Sequence, residues 1–222
     1  MAEDIREYWN RKVLDWERSA YEGLVSGQSL AEKFTTKFRG SLRETMNISL
    51  ELLKPHIVDR TILDLGCGSG RFAFRLLQHG AGRVVGFDFS QNAVNLANEK
   101  AKQFGVNDKC TFVLADVRNA TLPVADITTG LGVFDYLSKN EVLNLAKRLK
   151  SKWYLFSFSE KKLSPATVLH ILYLRSQNCP SEYHHSEKEI RAILANASLD
   201  NYRVVRNRRT LLATIVYNLP KA

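Results

Sequence analysis

The period of the apolar positions changes once along this chain, near residue 60. Before it, Ile5, Trp9, Val13 and Trp16 recur at spacings of three to four, and Phe34, Phe38, Leu42, Met46 and Leu50 recur every four. Such spacing places each set on one stripe of a helix with polar residues opposite, and Pro55 closes the second run. From Thr61 onward, short β-branched and aromatic runs (TILDL, RVVGFDF, CTFVLAD, ADITTGLGVF) alternate with helix-length amphipathic segments. That alternation predicts βα units and a parallel sheet.

Helix ends are marked chemically. Ser138 with Glu141, and Ser186 with Glu189, have the spacing of a capping box, and Gly105 ends a helix that begins near Ser90. The tail departs from simple alternation. WYLFSFS reads as a strand, Pro165 opens a helix, another helix follows Ser186, and YRVVR and TLLATIVYNL then arrive with a short link that allows only antiparallel pairing.

The densest chemical signal is the turn after the first strand. Ile62-Leu63-Asp64-Leu65-Gly66-Cys67-Gly68-Ser69-Gly70 leaves a strand, bends through three glycines and opens the helix RFAFRLLQHG. Glycines let main chain turn sharply and approach a ligand closely. A dinucleotide site would want G-x-G-x-x-G, but the third glycine falls at Gly70 and Arg71 stands where it is needed, which counts against a nicotinamide-dependent oxidoreductase. Acids follow at the ends of the next strands: Asp88 closes VVGFD, and Asp116 closes TFVLAD. The fourth strand runs into Gly132-Val133-Phe134-Asp135-Tyr136. In open α/β sheets, ligands collect at these carboxyl ends.

The block DLGCGSG resembles motif I of class I S-adenosylmethionine-dependent methyltransferases, and the resemblance extends from about residue 40 to residue 219. It implies a Rossmann-like α/β fold: a seven-stranded, mostly parallel sheet with a reversed last strand and helices on both faces. It also implies a division into residues 1–55, a helical extension or lid, and residues 56–222, the methyltransferase core. The implied cofactor is S-adenosyl-L-methionine. Asp64, Gly66, Cys67, Gly68 and Gly70 would surround its methionine part. Asp88 would take the ribose hydroxyls, with Phe89 beside the adenine; Asp116 would take the adenine amino group, and the Val117 N–H a ring nitrogen. Gly132 and Val133 would face both the methionine end and the acceptor. The tail layout loosely resembles small-molecule O-methyltransferases, including those that esterify the propionate of magnesium protoporphyrin.

Methyl transfer from a sulfonium is an in-line displacement, so the protein supplies alignment and, for an alcohol or acid acceptor, a base. The candidates are Asp135 and Tyr136 on the rim after the fourth strand, and the adjacent His184 and His185 on a loop before a capped helix. The rim lacks the Asn/Asp-Pro-Pro-Tyr/Phe motif of amine methylation and a cysteine for pyrimidine-carbon methylation. Lys and Arg number 32 against 23 Asp and Glu, a formal net charge of +9 that attracts anionic partners. The expected acceptor is therefore a small molecule, anionic or glycan-like, methylated on oxygen. RNA or tRNA methylation and a catalytically silent cofactor-binding subunit are the alternatives. The cluster Arg203, Arg206, Arg208 and Arg209 reads as a solvated edge. Cys67, Cys110 and Cys179 are too scattered for a zinc site or a disulfide framework. The N-terminus lacks a signal-peptide pattern and no long apolar run occurs, so a soluble cytoplasmic protein without a resident metal is expected.

Overall fold

The strand TILDL is buried from Ile62 to Leu65 because it lies inside the sheet, paired on both edges. In the computed structural model, which describes residues 5–21, 30–161, 167, 168, 171, 172, 175, 179, 183–199, 201–207 and 213–221, β1 (Thr61–Leu65) is flanked on one side by β2 (Arg83–Asp88) and β3 (Cys110–Leu114). On the other side lie β4 (Ile127–Leu131), β5 (Trp153–Ser159), β7 (Ala213–Tyr217) and the edge strand β6 (Arg203–Arg206). The seven strands run in the order β3-β2-β1-β4-β5-β7-β6; β1 to β5 are parallel, and β7 is antiparallel to both β5 and β6. The Rossmann-like sheet with a reversed last strand is as the sequence predicts.

The helices with described bounds are α1 (Ile5–Tyr21), α2 (Leu30–Leu53), α3 (Arg71–Gln78), α4 (Gln91–Gln103), α5 (Lys139–Arg148) and α6 (Glu187–Asn196). Both predicted capping boxes are present, at Ser138 with Glu141 and at Ser186 with Glu189. Ser90 caps α4 by accepting from the Ala93 N–H, and Gly105 follows that helix with a φ of 66°. Two expected strands are shorter than their apolar runs. β3 stops at Leu114 because Asp116 begins a turn, its carbonyl accepting from Asn119 and Ala120. β4 stops at Leu131 because Gly132, at φ 79°, turns the chain into a single 3-10 turn over Val133–Tyr136. The helix start at Pro165, the side chains of Trp16, Phe34 and Phe38, and Arg208 and Arg209 lie outside the described residues.

Strand alternation sends side chains into two cores. Ile62, Val84, Phe112, Leu155 and Ile215 face α2, α3 and α4, whereas Leu63, Leu65, Phe87, Tyr154, Phe156 and Phe158 face α5 and α6. Met46, Leu50 and Leu53 of α2 belong to the first of these cores, so the second half of α2 is built into the same unit as β1. Burying each such side chain stabilises by about 1.5–3 kcal/mol over leaving it exposed. Tyr154 is buried with its hydroxyl donating to the Leu199 carbonyl, as a buried phenol requires.

Candidate functional site at the β1–β4 crevice

The strand order reverses between β1 and β4, whose carboxyl ends therefore border a crevice. The β1 side is made of main chain. Gly66, Gly68 and Gly70 have φ of 68°, 53° and 77°, values that L side chains rarely adopt. The Gly66 and Cys67 N–H groups both donate to the Phe87 carbonyl, which fastens the turn to the end of β2. Gly66 is exposed at the crevice, and a Cβ there would lie 3.5 Å from Val133 across it. Gly70 has a different cause. It is buried, and a Cβ would come within 2.6 Å of the Phe112 ring, so this glycine lets α3 pack on the sheet.

Asp88 ties the two turns together. Its Oδ2 accepts from the Gly68 N–H at 2.9 Å and its Oδ1 from the Ser90 N–H at 2.9 Å. Asp64 is 2% exposed, and its Oδ1 accepts from the Thr129 hydroxyl of β4 at 2.8 Å. Burial pushes the Asp64 carboxyl up to about 7; the Thr129 bond pulls it down, and the nearby Asp88 charge adds to the rise.

At the end of β3, Asp116 is heavily engaged. Its carboxylate accepts from the Arg118 Nε at 2.9 and 3.0 Å, from the Arg118 guanidinium NH2 at 2.6 Å, and from the Arg6 NH2 of α1 at 2.9 Å. Burial pushes this carboxyl up, but the bonds and charge of Arg118, with the Arg6 bond, hold it below the usual range. Val117 beside it is buried, and Phe89 after β2 is half-buried.

The β4 side is made of side chains. Ser157 and Ser159 point to the same face of β5, two residues apart. The Ser157 hydroxyl accepts from the Gly132 N–H at 3.0 Å. Ser159 donates to both oxygens of Asp135, its N–H to Oδ1 at 2.6 Å and its hydroxyl to Oδ2 at 2.9 Å. Asp135 keeps part of its surface open, yet desolvation pushes its carboxyl up to about 7 against the lowering effect of the Ser159 bonds.

The two histidines, expected side by side on one loop, have different surroundings. His185 is 1% exposed, and its Nε2 lies 3.0 Å from the Phe134 carbonyl and 3.1 Å from that of Leu137. Both partners are acceptors, so Nε2 carries the proton and donates to the turn that bears Asp135 and Tyr136. Its Nδ1 is buried with no hydrogen-bond partner among the described residues. His184 is half-buried, and its imidazole is held below the usual value by burial, then by His185 and Lys161. Tyr136 meets Trp9 of α1 edge to face, with ring centroids 5.4 Å apart.

Helix α1 thus spans the crevice. Besides Arg6 and Trp9, Asn10 accepts from the Ser90 hydroxyl at 3.3 Å and the Asn92 N–H at 3.0 Å, and its carbonyl accepts from the Asn92 side chain at 2.8 Å. Thr129, Ser157, Ser159, Arg6 and Asn10 all escape sequence reasoning. The alternation of Phe and Ser in WYLFSFS was a legible sign that one face of β5 is polar at its carboxyl end; the others carry no local signal.

The glycine turn, with Asp88 beneath it and two strand ends opposite, offers close main-chain approach and acceptors for hydroxyl or ammonium groups, which suits S-adenosylmethionine. Among the described residues, no group of His, Cys, Asp and Glu could hold a metal ion, and no helix is long and apolar enough to cross a membrane.

A family model described as "Methyltransferase domain" matches residues 58–202. Among solved structures, magnesium protoporphyrin IX methyltransferase from Synechocystis PCC 6803, with bound S-adenosylhomocysteine, superposes with a TM-score of 0.72 at 23% identity, covering 96% of each chain. Geranyl diphosphate C-methyltransferase from Streptomyces coelicolor A3(2), in complex with Mg2+, geranyl diphosphate and S-adenosyl-L-homocysteine, superposes with a TM-score of 0.66 at 14% identity, covering 96% of this chain and 94% of that one. These likenesses show the fold. In sequence, the ribosomal protein L11 methyltransferase of Photobacterium profundum is 37% identical over 92 residues, 39% of this chain and 31% of that protein. That of Haemophilus influenzae is 36% identical over 76 residues, 26% of its length. The match spans under a third of these relatives.

Proposed function

Because this chain belongs to the methyltransferase-domain family, matched over residues 58–202, and S-adenosylmethionine is accordingly its methyl donor, we propose that it methylates an oxygen of a small acceptor, anionic or glycan-like. The observation that carries this reading is Asp135. It is a half-buried residue just after β4, near Gly132, with both carboxyl oxygens held by Ser159 and the carboxyl pushed up to about 7 by burial. A carboxyl so tuned takes a proton from an acceptor hydroxyl near neutral pH. The formal charge of +9 favours delivery of an anionic acceptor. The solved relative that binds geranyl diphosphate supports an anionic acceptor too.

The cofactor supplies an electrophilic methyl group on a sulfonium. Gly66, Cys67 and Gly68, with Asp64 behind them, would surround its methionine part, Asp88 would take its ribose hydroxyls, and Gly132 and Val133 would border the transferring end. Asp135 serves as the base, ahead of His184 and Tyr136, because it combines a position at the end of β4 beside Gly132 with a raised proton affinity. His185 acts through the turn it holds. Helix α1 closes over the crevice as a lid, excluding water through Trp9 and Tyr136.

The test is calorimetric titration with S-adenosylhomocysteine, followed by screening of carboxylates, phosphorylated metabolites and activated sugars with methyl-labelled cofactor. Cofactor binding with label transferred to such an acceptor, and lost in Asp135→Asn, is the expected result. Transfer only to amines, RNA or protein would overturn the acceptor assignment.

A further inference from the structure

Arg148, the last residue of α5, is far in sequence from the cofactor residues and faces only main-chain acceptors. Its Nε donates to the Asn144 carbonyl of its own helix at 3.1 Å. Its two terminal nitrogens reach across to the loop after β3: NH1 to the Ala120 carbonyl at 2.7 Å, NH2 to Val117 at 2.6 Å and to Arg118 at 3.0 Å. One planar fork therefore grips three carbonyls within four residues, a geometry that lysine lacks.

Both peptide groups that flank this grip are also fixed. The Asp116 carbonyl accepts from the Asn119 and Ala120 N–H groups, and the Arg118 N–H donates to the Asp116 Oδ1 at 3.0 Å. The Val117 N–H is the group left over: it meets no acceptor among the described residues, although Val117 is 5% exposed. A main-chain N–H with no acceptor within the protein is a donor available to a ligand. The carboxylate beside it is already coordinated by Arg118 and Arg6.

We propose that Arg148 is a positioning residue for cofactor recognition, holding the 116–120 loop so that the Val117 N–H donates to a ring nitrogen of the adenine. The inference rests on the S-adenosylmethionine reading of the crevice. The contact of the Val117 N–H with the base is the one the family resemblance implies; what the geometry adds to it is the Arg148 grip.

The experiment is titration of wild type and Arg148→Lys with S-adenosylhomocysteine and with its two analogues in which carbon replaces N1 or N3 of the base, with thermal melts to confirm folding. One analogue should bind wild type about fivefold to tenfold more weakly than the parent, the size of one hydrogen bond. Arg148→Lys should weaken the parent by a similar factor and that analogue no further, because the bond is already absent. Equal weakening of all three ligands by Arg148→Lys, no weakening of any, or parent-like binding of both analogues to wild type would each overturn the proposal; the last comparison does not depend on the variant folding. Failure of folded wild type to bind S-adenosylhomocysteine would instead remove the cofactor reading beneath it.

Discussion

On the β1–β2 side of the crevice the surface is main chain: Gly66 and Gly68 lie at positive φ, with the Gly66 and Cys67 N–H groups anchored to the Phe87 carbonyl and that of Gly68 to the Asp88 carboxylate. On the β4–β5 side it is side chain: Asp135 held by Ser159 from 24 residues away, and its turn held by His185 from 51 and 48 residues away. A main-chain cradle fits a ligand part that never varies, whereas a surface of side chains can change its chemistry without disturbing the fold. On the proposed function the first side carries the cofactor and the second the acceptor. Substitutions on one side should leave the other intact.

The sharpest break in this division comes from Asp135→Asn. Turnover on the acceptor should fall about 100-fold to 10,000-fold and lose its acid limb near neutral pH, while S-adenosylhomocysteine affinity stays within about twofold. Asp88→Ala should do the reverse at the binding step. Removing the acceptor of the Gly68 and Ser90 N–H groups should weaken S-adenosylhomocysteine about 100-fold by calorimetry. If Asp135→Asn costs as much cofactor affinity as Asp88→Ala, the two sides are not separate.

A smaller effect separates holding from chemistry. His185→Leu should lower turnover about tenfold at unchanged cofactor affinity, and His185→Gln, whose amide nitrogen can still donate to the Phe134 and Leu137 carbonyls, should recover most of it. An inactive His185→Gln with an altered pH–rate profile would make His185 the base.

The pH dependence follows from Asp64 and Asp135, whose carboxyls are both pushed up to about 7 on folding. Between their ordinary carboxylate values and 7 the folded chain holds more protons than the unfolded one, so this contribution to stability declines as pH rises through that window. The ligand-free protein should melt several degrees lower at pH 7.5 than at pH 5.5, and Asp64→Asn should flatten the trend. The least effect belongs to α1, the proposed lid. Arg6→Ala, at a half-exposed ion pair, should speed S-adenosylhomocysteine release about twofold to threefold in stopped-flow, since exposed pairs contribute little.

The glycine turn, the strand-end acids and both capping boxes were legible because each depends on neighbours within a few residues. The buried state of His185 was not. A histidine pair between a turn and a capped helix looks like a solvated loop until β5 and the 133–136 turn close on it: the Ser159 carbonyl accepts from the His185 N–H, and the His185 carbonyl accepts from the Lys161 N–H. Asp116 was legible as a strand-end acid, but its arginine partners were only half so: Arg118 is two residues away, while Arg6 is 110 away.

By itself the sequence determined the alternation of strand and helix, the cradle and the register of acids along the carboxyl edge of the sheet, because hydrophobic period and main-chain conformation are local properties. The tertiary structure alone decided which side chains meet at the crevice. Pairs such as Thr129 with Asp64, Ser159 with Asp135 and Arg148 with the 117–120 loop depend on which strands and helices become neighbours, and one-dimensional spacing does not encode that adjacency.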